Sequence, residues 1–525
     1  MKEGFRQAMA WLHTWAGLIF GWLLFAIFLT GTLSYFKNEI SHWTQPEIPY
    51  RTLDTTASLS LAQRYLQTNA ADAGSWFIQL PEARDPTLRV GWRAPGAGRR
   101  DFNEKILDPA TGNQLHPRDS SGGEFFYRFH FQLQMPYPWG RWLSTFCALM
   151  MLVGLVTGII THKKIFKEFF TFRPGKGQRS WLDGHNAIGV LVLPFHLMIS
   201  YSSLVIFMAM VMPASISTMY GDNLQAYYNE LFSRDEPVKP AGTPAPLVPL
   251  AQLYAQARQQ APGSEISWVE VQNPGDLNAR VRLVRASNEG IAQNRGAGWL
   301  FDGVQGTPLK APGEQSTPLL IAAGMYGLHM GHFAGPTLRW LYFVFGLAGT
   351  AVIGTGLVMW LGKRQLKHAK SGTQPFELRL VEVLNIASMS GLILAVAAFF
   401  WANRLLPVAL EGRADLEVDS FFAVWGLALL HALLRPGRRA WGEQLLLGAV
   451  LFAALPVLNA LTTGTGLLPA IAQGDWMIAG FDLTALGCGL LLAWMARKML
   501  RPQVLAPKRA ARTPRAAPLI ESEVQ

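Results

Sequence analysis

Long uncharged runs of apolar residues alternate along this chain with ordinary polar sequence, and eight of the runs are candidates for membrane spans. They lie near residues 10–36, 141–162, 183–212, 337–362, 380–405, 419–435, 442–461 and 476–496. The sixth is short for a bilayer. The first is too long for a secretory signal, and no small-residue cleavage site follows it, so it reads as a retained helix.

Two connections, 37–140 and 213–336, are each about a hundred residues long, which is room for a small domain. Their apolar and polar positions alternate with a period of two, as in half-buried strands. In each, a short helix (59–67; 248–259) precedes two strands (75–80 and 87–92; 266–271 and 279–284). A turn closing on glycine follows, Leu107-Asp108-Pro109-Ala110-Thr111-Gly112 in one and Phe301-Asp302-Gly303-Val304-Gln305-Gly306 in the other. The likeness continues into the spans. His13 with Gly17 opens the first span, as His185 with Gly189 opens the third. His130 precedes Gly140-Arg141-Trp142-Leu143 and the second, as His329 precedes Thr337-Leu338-Arg339-Trp340-Leu341 and the fourth. One unit, helix–domain–histidine–helix, therefore occurs twice.

The expected fold is a mainly α-helical polytopic membrane protein of about eight spans, with a four-helix haem-binding core from the repeat and two small α+β domains. Its parts are the first span (1–36), the first domain (37–140), spans two and three with a basic loop (141–212), and the second domain (213–336). The fourth span (337–362), an appended bundle of spans five to eight (380–496) and a basic tail (497–525) complete it.

Composition agrees. Half the 525 residues are apolar and 15% are charged, against about a quarter in soluble domains, and mean hydropathy is +0.17. The net charge of +11 does not point to nucleic acid, because the basic residues gather at the ends of apolar runs. Lys163, Lys164, Lys167, Arg173, Lys176 and Arg179 follow span two; Lys363, Arg364, Lys367 and Lys370 follow span four. Arg435, Arg438 and Arg439 follow span six, and Arg497, Lys498 and Arg501 follow span eight. Every second connection is basic, so both ends of the chain are expected on the cytoplasmic side of a bacterial inner membrane and the two domains in the periplasm. Cys147 and Cys488 lie inside apolar runs, which excludes a disulfide framework, a zinc site or a cysteine-held cluster.

The chemistry lies in the histidines. An ionisable group within a span is costly and functional by default, and neutral imidazole is an axial ligand for haem iron. His185 and His196 are eleven residues apart, nearly a whole number of turns and about 16 Å of helix, a spacing that can stack two haems, one near each membrane face. His13 enters its span at the depth of His185, and the two are placed to grip one haem near the cytoplasmic face. Leu24 stands where the repeat would put a partner for His196, so a second haem needs His130, His329 or His332. For each histidine the plain alternative is a hydrogen-bonded packing residue. His162 reads as interfacial, and His42, His116, His368 and His431 as structural or exposed. Glycines such as Gly31, Gly158, Gly349 and Gly356 let helices approach or leave room for a macrocycle; packing is the simpler reading. Arg141 and Arg339, each beside a tryptophan, anchor helix ends or meet haem propionates. No dinucleotide fingerprint, P-loop, zinc-protease motif or nucleophile elbow is present, so an electron donor must be a separate molecule.

Trp11-Leu12-His13-Thr14-Trp15-Ala16-Gly17-Leu18 with Leu29-Thr30-Gly31 resembles the first helix of the PepSY-associated transmembrane proteins. So do Trp181-Leu182-Asp183-Gly184-His185-Asn186, Leu193-Pro194-Phe195-His196 and Gly354-Thr355-Gly356-Leu357. The likeness covers about residues 5–365. It implies PepSY-like periplasmic domains and a kinship with iron-regulated siderophore reductases of the FoxB type, hence haem b and reduction of a ferric siderophore with release of Fe(II). Relatives known only by the PepSY domain imply a peptide-binding regulatory role instead. A siderophore or iron transporter is the other alternative; it calls for broken helices with intramembrane carboxylates, which the first four spans lack apart from Asp183.

Overall fold

The computed structural model describes residues 3–501, apart from 52–53, 99–100, 163–170, 222, 233–236, 287, 293–296, 314–315 and 370–373. Lys163, Lys164, Lys167, Lys370 and the tail beyond Arg501 lie outside the described residues.

Helix α1 (Glu3–Ser34) leads into a short α2 (Lys37–Thr44). The first long connection holds α3 (Thr55–Asn69), β1 (Ser75–Gln79), β2 (Leu88–Arg93), β3 (Asn103–Leu107), β4 (Gln114–Leu115) and α4 (Gly122–Gln132), and returns through α5 (Trp139–Thr161). Next come α6 (Gln178–Leu191), α7 (Leu193–Ile206) and the short α8 (Met208–Val211), α9 (Ala214–Tyr220) and α10 (Leu224–Leu231). The second connection repeats the first, with α11 (Leu250–Gln260), β5 (Ile266–Gln272), β6 (Arg280–Arg285), β7 (Gly298–Asp302), β8 (Pro308–Lys310), α12 (Thr317–Met330) and then α13 (Pro336–His368). The rest is α14 (Phe376–Ile386), a π turn (Ala387–Gly391), α15 (Leu392–Leu405), α16 (Arg413–Leu434), α17 (Arg438–Thr463), α18 (Leu467–Gln473) and α19 (Trp476–Leu500).

Among the described residues, seven helical stretches are long and apolar enough to cross a membrane, α14 to α15 counting as one, and α6 with α7 makes an eighth if the pair is one span. The chain is a multi-pass membrane protein. The third span departs from expectation: it is broken at Val192 and bent by 66°. Pro194 sits in the first turn of α7, where it supplies no N–H and crowds the preceding turn, so a straight helix cannot continue. The sixth span is also longer than its apolar run. It begins at Arg413 because the charges that hid its start, Arg413 and Glu417, are fully buried and bonded to each other.

Helix α1 lies against α5 and α13, α6 against α13, and α7 against α5, which closes a four-helix core. The two long connections were expected as two small domains. They form one antiparallel sheet of eight strands, ordered β4-β3-β2-β1-β5-β6-β7-β8. The halves meet edge to edge at β1 and β5, from Ser75 opposite Gln272 to Gln79 opposite Trp268. Helices α3 and α11 cover one face, burying Leu59, Leu66, Trp76, Ile78, Leu253, Val269 and Val281 in a shared core. The matched turns fold alike. Asp108 Oδ1 accepts from the N–H of Ala110 and Thr111, Asp302 Oδ1 from Val304 and Gln305, and Gly112 and Gly306 close the turns at φ 73° and 69°, where a side chain is strained.

The appended helices meet the core through two polar joins. Within the spans, Trp22 Nε1 donates to Asn385 Oδ1 at 2.8 Å beside the π turn. At the end nearer the sheet, α2 presents Trp43, fully buried, to Asp482 (2.9 Å), to the stacked ring of Phe481 and to the Arg404 guanidinium 3.6 Å over its face. Around them, Arg413 donates to Glu417, to Asp119 O and to Asn403 O, and Glu417 also accepts from Asn403 and Ser120. His42, read from sequence as structural or exposed, is buried here with Nε2 2.9 Å from Asp475.

Candidate functional site

Four of the histidines singled out by the sequence meet as two pairs. His13 on α1 faces His185 on α6, with ring centres 6.4 Å apart and planes at 79°. His130, near the end of α4, faces His329, near the end of α12, with ring centres 6.1 Å apart and planes at 35°. His13 and the carbonyl that holds His130, Ile27 O, are fourteen residues apart on α1, so the pairs are separated by about 21 Å along that helix. The second pair lies at the end of the core that carries the sheet, the first toward the opposite end.

Each ring is held the same way. His13 Nδ1 is 2.9 Å from Gly154 O, His185 Nδ1 is 3.0 Å from Val352 O, and His130 Nδ1 is 2.8 Å from Ile27 O. His329 Nδ1 is 3.0 Å from Ser202 Oγ, whose own hydrogen goes to Met198 O. Carbonyls only accept, so Nδ1 carries the proton and Nε2 is left with its lone pair. Burial and then His130 hold the His329 imidazole down to about 3, and burial holds His130 below its usual value. Both are therefore neutral, the form that ligates metal.

The repeat accounts for this geometry. Gly154, Thr157 and Gly158 on α5 match Val352, Thr355 and Gly356 on α13, and each set receives the histidine of the neighbouring span. A Cβ at Gly158 would stand 3.3 Å from His13 Cε1, and one at Gly356 3.4 Å from His185 Cε1; one at Gly31 would stand 2.5 Å from His130 Nδ1. These glycines make room for imidazoles, a role that the packing reading had not assigned. The hydroxyls and carbonyls behind the rings were also missed. Their signal was in the sequence, since Thr157 and Thr355 follow Arg141 and Arg339 at the same spacing of sixteen.

His196 joins neither pair. It is fully buried, its Nε2 lies 3.3 Å from Phe345 O, and its ring packs on Phe28 and Phe195. The break at Val192 takes it out of line with His185, so the expected stacking of two ligands on one straight helix is corrected. His332 lies against Tyr326, on the wall of the cavity beside His130 and His329. His162 ends α5, His116 is exposed beside β4, and His431 bonds Glu443 within the appended bundle.

The sheet-end pair opens on a cavity of about 990 Å³ between the membrane core and the sheet, in the size range of small-molecule and cofactor sites. His130, His329, Arg84, Arg141, Arg339 and Glu82 are among the groups that line it.

The donor sets decide what could be held. Imidazole–metal bonds are about 2 Å long, so two imidazoles sharing one ion have ring centres about 6 Å apart, as both pairs do. Among the described residues no three His, Cys, Asp or Glu gather around one point, whereas protein zinc sites use three or four such ligands. Two facing imidazoles with anchored Nδ1 atoms and glycines beside the rings suit an ion whose remaining ligands come from a macrocycle, as in haem.

Comparison with known proteins gives a match to the family model described as the PepSY-associated TM region, over residues 10–363. The chain is also similar to an uncharacterized protein of Pseudomonas aeruginosa, at 25% identity over 405 residues covering 72% of this chain and 96% of that one.

Proposed function

This chain belongs to the PepSY-associated TM family, and from that premise we propose that it is a haem-b reductase of the bacterial inner membrane, passing electrons across the bilayer to a ferric siderophore in the periplasm with release of Fe(II). The observation that carries the reading is the two facing imidazole pairs, one toward each end of a four-helix core. His13 and His185 would hold the inner haem, and His130 and His329 the outer one; bound there, haem supplies one-electron redox chemistry. The chain's own part is to hold each ring by its Nδ1 and keep Nε2 unprotonated. It also sets both pairs among the core helices and leaves a cavity at the outer pair, on the side toward the sheet. The basic connections favour an orientation with the sheet in the periplasm, and the electron donor is a separate cytoplasmic or membrane molecule. The kinship with FoxB-type reductases is part of this proposal.

The test is a reduced-minus-oxidised spectrum of detergent-purified protein with a pyridine haemochrome count. The reading expects a b-type spectrum and about two haems per chain; colourless protein from haem-replete cells would sink it. Gly31→Ala gives a second expected outcome. Its methyl group would press on His130 Nδ1 and displace the ring from Ile27 O, so the pigment count should fall by about one while the inner haem persists. An unchanged count would remove His130 from the site.

One observation favours a second reading, transport of iron or its chelate: the third span is broken, as helices at transporter sites often are. The carboxylate nearest the break on α6, Asp183, is engaged by Arg173 at 2.8 Å. Uptake of labelled ferric chelate into proteoliposomes of colourless protein would support transport.

A further inference from the structure

The cavity beside the outer histidine pair contains a charge imbalance. Arg84 grips Glu39 with two bonds of 2.8 Å, and Arg339 reaches the same carboxylate at 3.5 Å. Two guanidiniums thus share one acid. Arg339 is only 8% exposed. It donates one bond, 2.7 Å to Ala334 O, and its Nε has no partner among the described atoms. A buried cation left this way is costly unless an anion completes it. The other acids on the cavity wall do not reach Arg339: the charges that act on it are Arg84 and Glu39. Asp85 is bonded to Gln79 at 2.8 Å, and Lys37 is tied to Glu124 at 3.2 Å. Glu82 feels Arg84, but burial and then Asp85 and Glu265 push its carboxyl up to about 7, so near neutral pH it carries about half a charge.

The repeat supplies a second cation at the matching place. Arg141 opens α5 as Arg339 opens α13, and both line the cavity with His130 and His329. Arg141 donates to Gln132 at 3.0 Å and stacks on Phe131 and Tyr137, with no ion pair to a described acid. Beside His332 and Arg84, one site therefore holds a pair of imidazoles and a pair of arginines, each pair related by the repeat.

We propose that Arg339 and Arg141 are the carboxylate-binding residues of the outer site, each taking one of the two propionate groups of a haem held between His130 and His329. The assignment rests on the haem reading above and adds to it which of the chain's cations set the charge around the outer centre. A cation paired to a propionate offsets negative charge near the metal and makes the added electron easier to accept. Glu39 acts in the opposite sense, since it draws Arg339 away.

The experiment is a spectroelectrochemical titration of the purified full chain, with the outer component identified as the one missing in His130→Ala. Arg339→Gln and Arg141→Gln should each weaken reduction of the outer component about tenfold, about 59 mV for one electron, and leave the inner component in place. Arg339→Lys should restore most of the shift. Glu39→Gln should move the outer component the other way. If Arg339 only bridged helices, Glu39→Gln and Arg339→Gln would break the same contact and shift the potential alike, and that result overturns the proposal. So does an outer potential indifferent to Arg339→Gln, or loss of the outer pigment in both Arg339→Gln and Arg339→Lys with a lowered melting temperature. A colourless wild-type protein would instead remove the haem reading itself.

Discussion

Replacing His329 by alanine should leave a protein with about one haem in place of about two and should slow reduction of a periplasmic ferric chelate at least about a hundredfold. Changing a group that only orients a metal ligand already costs 10- to 100-fold, and here the ligand itself is lost. The imidazole across the site, His130, keeps its bond to Ile27 O but faces an empty side. His130→Ala should match it, and His13→Ala should remove the other pigment. His196→Ala is the informative contrast: with its Nε2 turned to Phe345 O, it should keep both pigments and lose only packing. The haemochrome count and a chelate-reduction rate, measured on the same preparations, check all four. A His196→Ala protein lacking one haem would overturn the assignment of ligands.

The largest expected effect on stability lies far from the histidines. Arg413 and Glu417 are both fully buried, at the polar join between the appended helices and the core. Arg413→Met leaves the Glu417 carboxylate without its cation, and breaking a buried pair from one side costs about 3–5 kcal/mol. The double change Arg413→Met with Glu417→Leu should recover most of that, because paired apolar replacements of buried ions are often neutral or better. Melting curves in detergent for the two single variants and the double one read this directly. Additive losses in the double variant would mean that the pair itself contributes little, and that the bonds to Asp119 O, Ser120 and Asn403 carry the join.

The sequence was legible where the duplication constrained it. His13 and His185 could be paired because each opens the first span of a repeat, and the matching Asp turns were read from the order of their residues. Three features were beyond reach for physical reasons. Helical arithmetic placed His185 and His196 on one straight helix, but Pro194 interrupts it, so His130 finds His329 instead. The pairing of β1 with β5 joins segments almost two hundred residues apart, and an exposed strand edge carries no mark of its partner until the fold brings one. Charged residues at the start of the sixth span read as loop because burial of a charge is improbable until its partners are known. Arg413 has Glu417 one turn away, but Asn403 and Asp119 come from elsewhere in the chain.

The edge-to-edge strand joint has a mechanical consequence. In transporters built from repeats, one half rocks against the other to open each face in turn. Here five residues of β1 are laced to five of β5 across the boundary between the halves, and Gln63 ties the covering helices by accepting from Leu250 N–H. Rocking would have to shear that lacing apart. The duplicated units are riveted together at the end where a gate would need to swing, which makes this a fixed frame and not a pair of rocking halves.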